Sequence, residues 1–170
     1  MKIIQSTTRH LLKLLQFPIL FLFVSFLYGQ PGLLESSITV LPTQSINFGT
    51  FYITGAGTIE VDFHGNVHVT GGVISLNTTS GTPAIFEIKL CEGGTIRMAY
   101  DYSVFLNGSN GGQLELIIGA TERGVSGDIF SSENNCNFIT PLRVGGKLVV
   151  PANAVPGAYA GSFPMSFTQE

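Results

Sequence analysis

The sequence predicts an all-β fold, an immunoglobulin-like antiparallel β-sandwich preceded by an N-terminal signal peptide. Three observations carry that expectation. Past residue 30 the apolar side chains recur at every second position, the period of a half-buried strand rather than of a helix. Turn clusters rich in Gly, Asn and Ser interrupt the chain every 8–12 residues or so, the spacing of short strands in a sandwich. Charged residues make up only 11 % of the 170, which suits strands and tight turns better than exposed helices rich in Glu, Lys and Arg.

Residues 1–29 read as the signal peptide and residues 30–170 as a single β-sandwich domain. Lys2, Arg9, His10 and Lys13 form a basic leader with no acidic residue. The apolar run from Leu14 to Tyr28 is broken only by Gln16, Pro18 and Ser25. It falls short of the roughly 20 residues that cross a bilayer as a helix. Gly29 supplies a small residue just before Gln30-Pro31-Gly32, so cleavage after Gly29 is expected. The alternative is an uncleaved anchor, because Leu27 is large for its place upstream of the cut. After cleavage no membrane span remains, and the expected destination is the periplasm, the cell surface or the extracellular space.

The strands follow in order. Ile38 and Val40 alternate with Thr39 up to Pro42. Ile46, Phe48, Phe51 and Ile53 continue the apolar series around a turn at Gly49. Ile59, Val61 and Phe63 share one face, with Glu60, Asp62 and His64 on the other; His64-Gly65-Asn66 then marks a hairpin turn before Val67 and Val69. Ala84–Leu90 reads as a strand with Glu87 and Lys89 on its wet face. Ile96, Met98 and Tyr100 alternate with Arg97 and Ala99, and Leu114, Leu116 and Ile118 with Gln113, Glu115 and Ile117. Gly71-Gly72, Gly93-Gly94, Gly111-Gly112 and Gly145-Gly146 read as turns. Residues 119–135 read as a long polar excursion. No helix is expected after residue 30.

The last stretch is the most regular. Tyr159, Phe163, Met165 and Phe167 share one parity, and the sequence predicts a single strand carrying them. Gly157-Ala158-Tyr159-Ala160-Gly161 has the form of a tyrosine corner, which in an immunoglobulin-like sandwich opens the sixth strand. No seventh strand follows before Glu170, and Pro164, lacking an N–H, points to an edge or a bulge. An edge carrying Tyr159, Phe163, Met165 and Phe167 is thus expected to need a partner. Either the chain's own segment Leu33–Leu41, with Ile38 and Val40, fills it, or a strand from another protein subunit does.

Charge excludes several partners. The leader holds three of the eight Lys and Arg residues and no acid, so its removal takes the formal net charge from −3 to −6. The five remaining basic residues are scattered, which leaves no footprint for nucleic acid and disfavours an anionic membrane surface. The two cysteines, Cys91 and Cys136, would meet an oxidising space on export, and a disulfide between them is expected. Two separate buried thiols are the rival. A bridge closing a loop of that length contributes about 3–4 kcal/mol in the chain-entropy model.

Several motifs together resemble a family of bacterial secreted domains known as domain of unknown function 4402. They are Ile46-Asn47-Phe48-Gly49-Thr50-Phe51, Gly57-Thr58-Ile59-Glu60-Val61-Asp62, Thr82-Pro83-Ala84-Ile85-Phe86-Glu87-Ile88, and Val144–Ala152 with Gly157–Gly161. The resemblance runs over most of residues 38–168. It implies a relative of fimbrial subunits and adhesin domains with an immunoglobulin-like sandwich, and it brings no activity to any residue. The 119–140 segment, the cysteine pair and Pro164 depart from the family's pattern.

Candidate chemistry is sparse. His64 and His68 flank a hairpin turn near Asp62 and Glu60, a setting that fits a solvated strand face better than a metal site. Gly124-Val125-Ser126-Gly127 is one residue short of a nucleophile elbow. No helix follows any Gly-Gly pair to cradle a phosphate. Tyr100 and Tyr102 share a parity around Asp101 and are the best candidates for a sugar-stacking platform. No catalytic residue, cofactor or metal is therefore expected, and the protein is not read as an enzyme. The predicted role is a secreted or cell-surface structural or adhesive protein, resembling a fimbrial subunit, that acts through strand pairing and surface presentation. A self-contained secreted binding module, for instance for carbohydrate, is the alternative.

Overall fold

The computed structural model describes residues 38–76, 81–91, 93–132 and 137–170. The expected signal peptide, residues 33–37 of the expected edge-filling segment, and Cys136 lie outside the described residues. The described strands all belong to the compact unit Ser36–Glu170.

The fold is all-β and every strand pair is antiparallel. In chain order the strands are β1 (Ile38–Gln44), β2 (Phe51–Val61), β3 (Val67–Ser75), β4 (Ala84–Leu90), β5 (Gly94–Tyr100) and β6 (Ser103–Gly108). They continue with β7 (Gln113–Thr121), β8 (Ile129–Ser132), β9 (Thr140–Val150), β10 (Tyr159–Ala160) and β11 (Met165–Gln169). Eight of them form a curled sheet in the order β1-β4-β9-β7-β6-β10, with β2 on β9 and β3 on β2. The other three form a second sheet in the order β11-β5-β8.

Period-two alternation explains which faces meet. Ala84, Ile88 and Leu90 of β4 are buried while Lys89 is exposed, and Ile96 and Met98 of β5 are buried while Arg97 and Ala99 are exposed. Both sheets contribute to one core, with Ile96, Met98 and Phe130 joining Ile88, Leu142 and Val144. Each such fully buried side chain favours the fold by about 1.5–3 kcal/mol over exposure.

The expected hairpin at His64–Asn66 is present. Asp62 N donates to Asn66 O at 3.0 Å and Gly65 N to Asp62 O at 2.9 Å, closing the turn between β2 and β3. Gly111 and Gly112 sit at positive φ between β6 and β7, as a tight turn requires.

Three features differ from the sequence expectation. First, Gly71-Gly72 and Gly145-Gly146 lie inside strands β3 and β9, not in turns. β9 pairs with β4 over Thr140–Val144 and with β2 over Gly146–Val150, while β7 occupies its opposite edge. Gly145 stands where the neighbour changes: a Cβ there would lie 2.8 Å from the carbonyl oxygen of Val61. The pair serves close backbone approach, the other use of glycine within strands. Second, the polar excursion carries β8, whose Phe130 sits opposite Ile96 and is buried. Third, the last stretch is two strands in two sheets. Tyr159 in β10 pairs with β6, whereas Met165 and Phe167 in β11 pair with β5. Pro164 lies in the crossover between them, where a missing N–H breaks no ladder.

Candidate functional site

The geometry of interest is built where the larger sheet stops short of closing. Tyr159 fixes one side of it. Its hydroxyl donates to the carbonyl of Val155, four residues upstream, at 2.5 Å. Its ring lies on glycines: a Cβ at Gly108 would come 2.8 Å from the ring, and one at Gly112 3.3 Å from the hydroxyl oxygen. Ser109 and Asn110 staple the same segment. Ser109 N donates to Ala158 O at 2.8 Å, Ser109 Oγ accepts from Ala158 N at 3.1 Å, and Asn110 Nδ2 donates to Pro156 O at 2.8 Å. Residues 155–160 are thereby held along the turn between β6 and β7.

The other side is the segment from Ser45 to Ile53. Asn47 exchanges backbone hydrogen bonds with Thr82 at 2.9 Å, and its side-chain oxygen accepts from Gly49 N at 2.8 Å. This local turn drives Phe48 inward, where it is buried, and starts β2 with Phe51 and Ile53 half-buried.

Between the two sides lies a groove of about 1120 Å³. Leu114, Leu116, Leu148 and Val150 lie beneath it and are each at most 2 % exposed, so the surface it presents to water belongs to its other lining residues. Tyr52, Val155 and Ala158 are exposed rim residues. Among the described residues no charged side chain lines the groove.

Both rims carry backbone without a ladder partner among the described residues. β10 pairs only with β6, which leaves its outer edge open. β2 pairs with β9 only from Gly57 onward, so Phe51–Ala56 has β3 on one edge and no strand on the other. The larger sheet is therefore a curled half-barrel with an open seam. Chemically, the seam sets backbone without a ladder partner among the described residues beside a mostly apolar lining.

The residues expected to form a strand-pairing edge are distributed around this arrangement. Tyr159 and Phe163 line the groove. Met165 and Phe167 lie on β11, which pairs with β5. Ile38 and Val40 lie on β1, opposite Leu90 and Ile88 of β4, and among the described residues β1 forms no ladder with β11. The described part of the N-terminal segment thus pairs with β4; of the two alternatives expected for the edge, the chain's own segment or a strand from another subunit, Ile38–Leu41 does not ladder beside Phe167. The wall formed by Phe48–Ile53 and the rim at Ala154–Pro156 were not legible as parts of one site. Phe48, Phe51 and Ile53 were legible as an alternating apolar series, but nothing in it named Ala154–Pro156 as the opposite side.

Other candidates resolve into structural roles. Ser126 Oγ donates to Tyr100 O at 2.8 Å and accepts from Tyr100 N at 2.9 Å, which ties its loop to the end of β5. Tyr100 is half-buried against the core and its hydroxyl donates to Gly119 O at 3.2 Å; burial raises its phenol above the ordinary value of 10.0. Tyr102 is 73 % exposed, in contrast to the half-buried Tyr100.

Asp62 organises its turn, accepting from His64 N at 2.9 Å and from Asn66 N and Nδ2 at 2.8 Å each. Burial pushes its carboxyl up, but these hydrogen bonds outweigh it and hold the group below its ordinary value. His68 Nε2 lies 3.9 Å from Asp62 and is well exposed. Among the described residues no three His, Cys, Asp or Glu side chains gather as a metal site would need. Lys147 Nζ meets Glu60 at 2.8 Å across β9 and β2, which raises the lysine's pKa. Among the described residues no cysteine is free, and no helix is long and apolar enough to cross a membrane.

Taken together these features define an all-β domain built as an open half-barrel closed on one side by a smaller sheet. The chain belongs to the family described as domain of unknown function 4402, whose model matches residues 38–168. No curated protein and no solved structure matches it.

Proposed function

We propose that this chain is an exported, cell-surface structural or adhesive subunit, fimbria-like in its assembly, whose working part is the open seam of the half-barrel. The single observation that carries the reading is the groove between Phe48–Ile53 and Ala154–Phe163. Its lining is mostly apolar and, among the described residues, carries no charged side chain, and both rims hold backbone without a ladder partner there. An extended segment laid into it would gain main-chain hydrogen bonds from the rims and bury alternate side chains on the floor, which is the logic of β-augmentation.

The immunoglobulin-like description belongs to this reading: two antiparallel sheets share one core, and the Tyr159–Val155 bond has the form of a tyrosine corner. A Cys91–Cys136 disulfide and removal of residues 1–29 belong to it too, and both suit an oxidising, extracytoplasmic setting.

Amide hydrogen exchange on the exported protein tests the reading. Assembly is expected to slow exchange at Phe51–Ala56 and at Tyr159–Ser162 relative to dissociated chains. Protection that appears only elsewhere, or a protein recovered wholly inside the cell, would defeat it.

A further inference from the structure

β3 pairs with β2 and, among the described residues, with no other strand, so its second edge is open. Its first half is regular. Val67–Gly71 stands opposite Val61–Gly57, and those residues of β2 ladder on their other side onto Gly146–Val150 of β9. The open edge is thus the rim of a sheet held in register by two further strands.

Other edges carry features that deter pairing. β1 is interrupted by Pro42 and by a shift of register beyond it. β8, β10 and β11 run to only four, two and five residues. β3 runs to nine residues and contains no Lys, Arg, Asp, Glu or Pro. Val69 shows what this edge lacks. It stands opposite Ile59, which is 0 % exposed, yet Val69 itself is 43 % exposed. A side chain of core parity is left half in water because the sheet ends beside it. On the other face the polar rows run out to the edge, with Thr70 sharing a 2.7 Å hydroxyl–hydroxyl hydrogen bond with Thr58, and His68 opposite Glu60.

This edge is complementary to itself. Antiparallel pairing about a twofold axis at Val69 sets that valine against Val69 of a second copy, so each covers the other. Thr70 then faces His68 of the second copy, and Val67 faces its Gly71. No like charges meet, and the edge carries no charge that would select a partner of opposite sign. A twofold contact of this kind closes on itself as a pair.

We propose that Val67–Gly71 is a self-association edge, at which two copies pair antiparallel about Val69 and join their larger sheets into one. The contact uses a different edge from the seam and stands whether or not the seam is filled. Its five residues a side place it in the small, transient class of interfaces, so the pair forms and parts with concentration.

Sedimentation equilibrium of the full chain, expressed with its own leader, tests this over a concentration series. A monomer–dimer equilibrium is expected. Val69→Lys should weaken it roughly tenfold or more, because like charges then face each other across the axis. Mixing Val69→Lys with Val69→Glu, each first checked by dichroism for an unchanged fold, is expected to restore a dimer that neither variant forms alone. Val69→Cys supplies a second measurement. Residues opposite each other in an antiparallel pair have Cα atoms about 4.5–5.5 Å apart, within reach of a disulfide. Mild oxidation should therefore link two copies of this variant through residue 69. A wild-type chain that stays monomeric at every concentration overturns the proposal. So does association that Val69→Lys leaves unchanged, which would belong to another surface, or a variant mixture that does not pair, or a Val69→Cys protein that forms no link between copies.

Discussion

The ring of Phe86 on β4 stands edge-on to that of Phe163, with centroids 6.2 Å apart and planes at 73°. Phe167 of β11 approaches the same ring at 6.2 Å. One aromatic side chain of the larger sheet thus holds both the crossover and the last strand of the smaller one. Phe86 and Phe163 also line the groove, so this contact braces one end of the seam.

Phe163→Ala is therefore expected to destabilise the fold by about 1–3 kcal/mol. That is less than the cost at a fully buried site, because Phe163 is only half-buried. A double-mutant cycle with Phe86→Ala in urea unfolding is expected to return a coupling of about 0.5–1.5 kcal/mol. A coupling indistinguishable from zero would mean that the two rings are neighbours without interaction.

Gly145→Val places two methyl groups where β9 meets Val61 and Asp62. Since the neighbouring atoms are backbone, they yield only by moving β2 away from β9. A loss of about 1–3 kcal/mol in unfolding free energy is expected. Unchanged stability would show that β2 can be displaced freely from this position.

Tyr159→Phe keeps the ring on Gly108 and Gly112 and removes only the bond to Val155. The expected cost is about 0.5–1.5 kcal/mol, together with faster amide exchange across residues 154–160. If exchange quickens over the whole domain instead, the hydroxyl supports global packing and not this rim.

Acid should weaken the hairpin at Asp62. Its carboxyl lies below its ordinary 3.8 in the folded protein because of the hydrogen bonds from Asn66 and His64, despite burial acting the other way. The unfolded chain then binds the proton more readily, so this stability is fully present above the ordinary value. It is lost as pH falls through the depressed folded value. The stability gap between the parent and Asp62→Ala, followed by denaturant titration from neutral to strongly acid pH, is expected to narrow across that window. A gap that stays constant or widens would refute the assignment.

Alternation along the chain was enough to determine that this protein is all-β, which residues of β4, β5 and β7 face inward, and where the hairpin at His64–Asn66 turns. Those properties depend on neighbours one or two residues apart, and side-chain periodicity records them directly. The back-bond of Tyr159 was legible for the same reason, since its hydroxyl reaches only four residues upstream. Only the tertiary structure decided that Gly145-Gly146 sits mid-strand, that Tyr159 and Phe167 belong to different sheets, and that β1 pairs with β4. It also decided that Phe48–Ile53 and Ala154–Phe163 face each other across one groove. Each of these depends on which distant segment supplies a backbone partner, and glycine or alternation looks the same in sequence whichever partner arrives.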